Sequence, residues 1–374
     1  MKEEHAPIRG RGAAANPPNR FETRSHVPDP EWTDPEDPAP GTEFLKDTSK
    51  SIITYNDSPD VGFDASVNPY RGCEHGCIYC YARPTHEYLG FSAGLDFETK
   101  ILVKEDAPDL LRRELSSPRW TPQVVAVSGV TDPYQPVERR LGLTRRCLEV
   151  LAEFRNPVVI VTKNHLVTRD LDLLRELARY EAAAVFLSIT TLDGGLSKIM
   201  EPRTSVPMRR LAAIEALAQA GVPAGVMVAP VIPGLTDQAI PSIIAEAAGA
   251  GARFAGYVLL RLPHGVRSLF EQWVTQHLPE RKDKILNRIR ALRGGRLNDP
   301  HFVSRMRGDG VRIVQPAAAK QASPGTARSS RRRRSAGRLV PSSPSLRSRD
   351  GGRPHPPSDR LSTSSWTHDK IARP

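Results

Sequence analysis

The chain has 374 residues and a formal net charge of +11, with four cysteines, 34 prolines and 6% aromatic residues. That length holds one large domain or two ordinary ones around a substantial core, and so few cysteines in so long a chain exclude a disulfide-built scaffold. The charge does not mark a basic body. Residues 316–374 carry 13 Lys and Arg against three Asp, which is +10 of the +11, so the remainder is close to neutral.

The first fifty residues are rich in Pro, Gly, Asp and Glu and lack apolar periodicity, so 1–50 is expected to be a mostly disordered arm. The charged start Met1-Lys2-Glu3-Glu4 has no apolar signal core, and no apolar run reaches membrane-spanning length. A reducing cytoplasm, with no membrane partner, is the expected setting. Order is expected from Ser51, with Asp64–Tyr70 as a first strand running into a cysteine loop.

That loop reads Asn68-Pro-Tyr-Arg-Gly-Cys73-Glu-His-Gly-Cys77-Ile-Tyr-Cys80-Tyr-Ala-Arg83. Three of the four cysteines fall within eight residues at C-x3-C-x2-C spacing, beside Gly72 and Gly76, which permit a tight turn. Three thiolates on one short loop can face a single soft metal centre. A closed iron-sulfur or zinc site takes four protein ligands, so a set of three leaves one position for a substrate or cofactor. Zinc completed by His75 or His86 is the alternative.

After the loop the pattern alternates. Apolar, β-branched runs at Gln123–Gly129, Pro157–Thr162, Ala183–Thr190, Gly225–Pro230 and Gly256–Arg261 read as strands. Between them, helices are predicted around Leu141–Phe154, Leu171–Leu177, Val206–Gly221 and Ala239–Gly249. Nearly continuous apolar strands separated by helices predict a parallel sheet covered by helices. No G-x-G-x-x-G turn follows a strand, which disfavours an open dinucleotide-binding sheet. Six strand-helix units predict an α/β fold of partial (β/α)6 TIM-barrel type, with chemistry at the C-terminal strand ends. The core is assigned to 51–265 and a helical cap to 266–312, with one helical stretch over Ser268–Arg293.

The cysteine loop, with the aromatic Tyr79 before its last cysteine, resembles that of the radical S-adenosylmethionine (SAM) superfamily. The flanking Asn68–Cys73 and Cys80–Arg83 segments look most like the branch related to spore photoproduct lyase, the DNA repair photolyase-like proteins. The resemblance implies a 4Fe-4S cluster on Cys73, Cys77 and Cys80, with SAM at the open iron. It further implies cleavage of SAM to a 5'-deoxyadenosyl radical that abstracts hydrogen from a substrate, with a reductant such as flavodoxin or ferredoxin and a nucleic acid as leading substrate class. The same barrel fold is implied.

SAM then needs polar partners at strand ends. Ser128, Thr131, Asp132, Gln135 and Glu138 follow the second strand, Asp132-Pro133 also fitting an ordinary turn. Lys163 follows the third and can meet a carboxylate as a point charge; Ser188 lies in the fourth. Glu201 and Arg203 come next, as site residues or as a pair with each other. Tyr79 is a candidate neighbour of adenine. Cys147, inside a helix, reads as a small packed hydrophobe.

The family pattern ends near Gly310, and 313–374 is a Ser-, Pro- and Arg-rich tail, expected to be disordered. It is read either as a basic arm for polyanions or as an out-of-frame product of a frameshift near residue 312. The competing function is a zinc- or cluster-stabilised nucleic-acid-binding protein without catalysis, acting through Arg331–Arg334.

Overall fold

Short runs of β-branched and small apolar residues build the centre of the molecule. The computed structural model describes residues 6–22 and 41–307. The tail, its four consecutive arginines and its proposed frameshift origin lie outside the described residues.

Among the described residues ten strands form two sheets. They are β1 (Glu43–Lys46), β2 (Ile53–Tyr55), β3 (Ala65–Val67), β4 (Tyr70–Arg71), β5 (Lys100–Val103), β6 (Val125–Val127), β7 (Val158–Thr162), β8 (Ala183–Ser188), β9 (Ala224–Val231) and β10 (Phe254–Leu259). The larger sheet has the order β10-β9-β8-β7-β6-β3-β2. From β3 to β10 all neighbours are parallel, with registers such as Val67↔Val127, Val127↔Ile160 and Ser188↔Met227. β2 is antiparallel to β3. Six parallel strands with intervening helices are the predicted partial barrel. β1, β5 and β4 form a separate three-stranded sheet beside the cysteine loop.

The strands alternate with helices Ala107–Leu115, Leu143–Glu153, Leu171–Ala178, Pro207–Gln219 and Ile240–Gly249. Helix 207–219 shows why boundaries fall where they do. Pro207 opens it where no N–H is needed, and Gly221 closes it at φ +77°, its N–H on Ala218 O and that of Val222 on Leu217 O.

Two expectations are corrected. The single helical stretch over Ser268–Arg293 is two helices, Gly265–His277 and Lys282–Ala291, separated by a 3-10 turn at Pro279–Arg281. Pro279 cannot donate a helical hydrogen bond and forces Leu278 out of helical geometry, to φ −141° and ψ 49°. Order also begins before Ser51. β1 pairs with β5, and residues 11–20 lie on the body: Gly12 N and Ala13 N donate to the Glu98 carboxylate at 3.0 and 2.9 Å, and Asn19 donates to Glu87 O and Phe91 O. Gly12 is required there, because a Cβ would stand 1.8 Å from Gly76 O of the cysteine loop.

Helices 265–277 and 282–291 pack onto the cysteine loop. Phe270, Trp273, Val274, Ile285 and Ile289 form one apolar core with Cys77, Ile78, Tyr79, Met200 and Leu260. Trp273 Nε1 donates to Ile199 O at 3.0 Å. At the open side, Arg305 pairs with Asp60 and Val303 N donates to Asp60 Oδ1 at 2.6 Å, tying the helix beside β10 to the β2–β3 hairpin at the opposite sheet edge. Among the described residues no helix is long and apolar enough to cross a membrane.

Candidate active site

The cysteine loop is pinned from below along its whole length. Cys73 N donates to Phe97 O at 2.8 Å, Glu74 N to Gln135 Oε1 at 2.8 Å, and Ile78 N to Met200 O at 3.1 Å. Gly72 and Gly76 take positive φ, +79° and +65°, where a side chain would strain the turn. Under the loop, fully buried Arg83 donates to Cys77 O, Ala93 O and Gly94 O and pairs with Glu98. That carboxylate also holds the N-terminal strap, so strap and loop share one anchor.

All four cysteines are free thiols; Cys73 and Cys77 are buried and Cys80 is partly exposed. Burial pushes the three loop thiols upward, and Cys73 is raised further by the charges of Asp132, Cys77 and Cys80. The loop thiols therefore lie within each other's field, a donor set suited to a cationic centre that would displace their protons. Lys163 and Arg210 oppose the shift at Cys77, and Arg83 and Lys163 oppose it at Cys80.

His75 is engaged at both ring nitrogens, and His86 at Nε2. His75 Nδ1 faces Asp132 Oδ2 at 3.3 Å and its Nε2 meets Asn164 Nδ2 at 3.3 Å, while His86 Nε2 lies on Lys100 O at 2.9 Å between Phe91 and Phe97. No three His, Cys, Asp or Glu side chains converge tightly enough to hold a single ion among the described residues. Thiols set around a larger iron-sulfur cube need no such convergence.

Beside the loop, the ends of β7, β8 and β9 present a buried polar cup. Lys163 Nζ donates to Ser188 Oγ at 2.8 Å, Ala229 O at 2.8 Å and Thr190 Oγ1 at 3.3 Å, and lies 3.2 Å from Glu201 Oε1. Burial, and next the Arg210 guanidinium, push the Lys163 ammonium down to about 7. Glu201 is buried, accepts from Thr190 Oγ1 at 2.7 Å and from Tyr79 OH, and pairs with Arg210. Burial keeps its carboxyl above the usual range, although Arg210 pulls it down. Lys163 also sits 5.5 Å from the Tyr79 ring centroid.

The structure thus gathers Tyr79, Lys163, Ser188 and Glu201, while the other predicted positions make the contacts that follow. Tyr79 is tied through its hydroxyl to Thr190 and Glu201. Burial would raise the Asp132 carboxyl, but His75, Thr162 Oγ1 (2.7 Å) and Lys163 N (2.7 Å) outweigh it and hold it low. With Tyr134 N also on Oδ1, Asp132 acts as a turn anchor that orients the β7 end. Thr131 donates to Tyr70 O at 3.2 Å, and Ser128 is half-buried at the end of β6. Gln135 fixes the cysteine loop through Gly72 O and Glu74 N. Glu138 belongs to a separate buried network with Tyr70, Thr144 and Arg169. Arg203 does not pair with Glu201; it meets Glu74 Oε1 at 3.1 Å and Thr42 Oγ1 at 3.3 Å. Cys147 is fully buried in helix 143–153, its thiol pushed far up by burial.

Sequence reasoning missed Thr190 and Arg210. A signal for Arg210 exists: it stands four and seven residues before Ile214 and Leu217 on the buried face of its helix, where a charge needs a buried partner.

A parallel α/β barrel carrying three thiols and a cationic cup at its C-terminal strand ends defines a class of enzyme scaffold, and comparison narrows it. The sequence model of the radical SAM superfamily matches residues 67–247. An uncharacterised protein of Mycobacterium tuberculosis strain H37Rv is 40% identical over 232 residues, covering 62% of this chain and 67% of the relative. One from Methanocaldococcus jannaschii is 29% identical over 246 residues, 66% of this chain and 88% of the relative. Among solved structures, spore photoproduct lyase complexed with a dinucleoside spore photoproduct aligns with a TM-score of 0.45 at 17% identity, over 63% of this chain and 66% of that one. A variant of that lyase with bound AdoMet and the dinucleoside aligns at 0.44 and 20%, over 62% and 65%. The chain belongs to the radical SAM superfamily.

Proposed function

We propose that Cys73, Cys77 and Cys80 hold a 4Fe-4S cluster, and that the protein uses it with SAM to abstract hydrogen from a nucleic-acid substrate. One observation carries this reading: three free, mutually sensed thiols on a pinned loop open beside a buried cation. Cys73, Cys77 and Cys80 would hold the cluster, which on reduction would supply the electron for cleavage of SAM to methionine and a 5'-deoxyadenosyl radical. The chain's own groups bind and orient. Lys163 presents an ammonium to the methionyl carboxylate, Ser188, Thr190 and Ala229 O hold that ammonium in place, and Glu201 with Arg210 fixes the cup from behind. Tyr79 and the cap residues Phe270 and Trp273 exclude water from the loop's apolar side.

The nucleic-acid substrate is proposed on the resemblance of Asn68–Cys73 and Cys80–Arg83 to the photolyase-like branch. Repair by a protein thiol is not part of the proposal, because the fourth cysteine, Cys147, is sealed in a helix.

Anaerobic reconstitution with iron and sulfide tests the assignment. A reduced cluster that converts SAM to 5'-deoxyadenosine, and that moves deuterium from a labelled substrate into it, supports the reading. A cluster with four protein ligands, or stoichiometric zinc without SAM cleavage, overturns it.

A further inference from the structure

A cleft of about 790 Å³ is lined by residues of helices 265–277 and 282–291 and the segments beside them, none of which belongs to the polar cup. Its charged and titratable lining is Arg20, His264, Arg267, Arg290 and Arg296 against the single carboxylate Glu271. Arg20 is held by Glu87 at 2.6 Å. Arg290 meets only the neutral Asn287 Oδ1, at 3.1 Å, and among the described residues Arg267, Arg290 and Arg296 form no ion pair. Three unneutralised guanidiniums around one concavity stand out on a body that is close to neutral. Such a concentration of one sign focuses field and draws an oppositely charged partner to that face.

The cleft's apolar floor identifies what the face serves. Leu262 and Leu297 line it and belong to the contiguous core that contains Cys77, Ile78 and Tyr79, with Cys80 packed against it. The cleft is therefore joined to the cysteine loop through one continuous apolar core, without sharing a polar group of the cup. We propose that the Arg267–Arg290–Arg296 cleft is the docking surface for a small acidic protein that donates one electron to the cluster. This rests on the reading that the loop carries a reducible cluster. One electron passes, the donor oxidised by one equivalent and the cluster reduced by one; no bond is made or broken. The contact needed is small and transient, as electron-transfer encounters are, and is dominated by charge.

The test compares the full chain with the triple variant R267E/R290E/R296E and with a charge-matched control, R119E/R175E/R179E, at exposed positions near β6 and β7. Reduced flavodoxin is the probe, and two quantities are read: its affinity for the cluster-free chain, and the rate at which it reduces the reconstituted cluster. Both should fall about tenfold or more in the cleft variant at low salt, with a weakened salt dependence, and stay near wild type in the control. SAM cleavage driven by a chemical reductant should be unchanged in both, which also shows that both fold; should the reversal disturb folding, the glutamine triple replaces it. Unaltered flavodoxin affinity and rate in the cleft variant, or equal losses in the control, overturn the proposal. So does a cleft variant that loses single-stranded oligonucleotide binding while keeping flavodoxin. Absence of SAM cleavage with the chemical reductant in the wild type instead defeats the reading beneath it, so the two failures are separable.

Discussion

Two ion networks, one at the strand ends and one on the flank around Glu138, are closed in different ways. At the strand ends, Lys163 and Arg210 pair with Glu201, the Asp132 carboxylate stands close by on His75, Thr162 and the Lys163 N–H, and Lys163 Nζ fills its remaining geometry with neutral oxygens from Ser188, Thr190 and Ala229. On the flank, Glu138, Asp170 and Asp172 face Arg145 and Arg169, and the buried oxygens are closed by Tyr70 OH, Tyr134 OH and Thr144 N. The flank is complete without a ligand. The cup instead holds the Lys163 ammonium in a setting whose burial pushes it toward neutrality, a cost that an arriving anion would relieve. The difference separates a site from a strut even though both are built from arginine and carboxylate.

The largest effect is expected at the loop itself. Replacing Cys73, Cys77 or Cys80 by Ala should abolish cluster retention, read as iron and acid-labile sulfide after reconstitution, and with it all 5'-deoxyadenosine formation. An unaffected cluster in any of the three would identify a different ligand.

Next comes the buried ammonium. Lys163→Ala should weaken SAM binding by roughly 10–100-fold, the scale of one charged hydrogen bond at about 1.5–3 kcal/mol. Lys163→Arg should not restore it, because a planar fork does not fit contacts that meet a point charge. The same residue gives two opposite pH slopes. With its pKa lowered to about 7 in the folded chain from 10.5 otherwise, the unfolded chain binds more protons between those values, so stability of the SAM-free protein rises with pH across that window. SAM affinity should fall over the same window as the ammonium is lost. Denaturant titrations and SAM-binding isotherms between pH 7 and 9 measure both, and Lys163→Met should flatten both.

The flank predicts the converse. Arg169→Ala strips a partner from Glu138 and Asp170 and should cost about 3 kcal/mol of stability, yet leave SAM affinity within a factor of about two, since the two networks share no side chain. A matching loss of affinity would merge the regions that their separate contacts set apart.

How much of this was legible follows the same division. Runs such as Val158–Thr162 and Ala183–Ser188 announce strands, and a side chain just beyond a barrel strand, such as Lys163, inherits its place from the fold; both were readable. Contacts set by tertiary packing were not. Arg203, two residues from Glu201, turns to Glu74 and Thr42, while Arg210, nine residues on, returns along its helix to meet Glu201. The strap fails to show for another reason: its order rests on backbone N–H groups of Gly12 and Ala13 reaching Glu98, a partner 85 or more residues away that no local periodicity encodes.

The smallest effect is expected at Cys147, where the sequence reading and the packing agree. Its thiol is fully buried in helix 143–153, and burial together with the Glu138 carboxylate suppresses ionisation. Cys147→Ala should therefore cost about 1 kcal/mol, the scale of one deleted core atom, as read by thermal or chemical unfolding. Yields of 5'-deoxyadenosine and of product should be unchanged. A thiol that donated hydrogen to a substrate radical would have to reach the strand-end cup, and in this fold Cys147 is held on a helix beside the completed flank network. Product yield that collapses in Cys147→Ala while SAM cleavage persists would require that helix to open during turnover, and would move the flank from strut to participant.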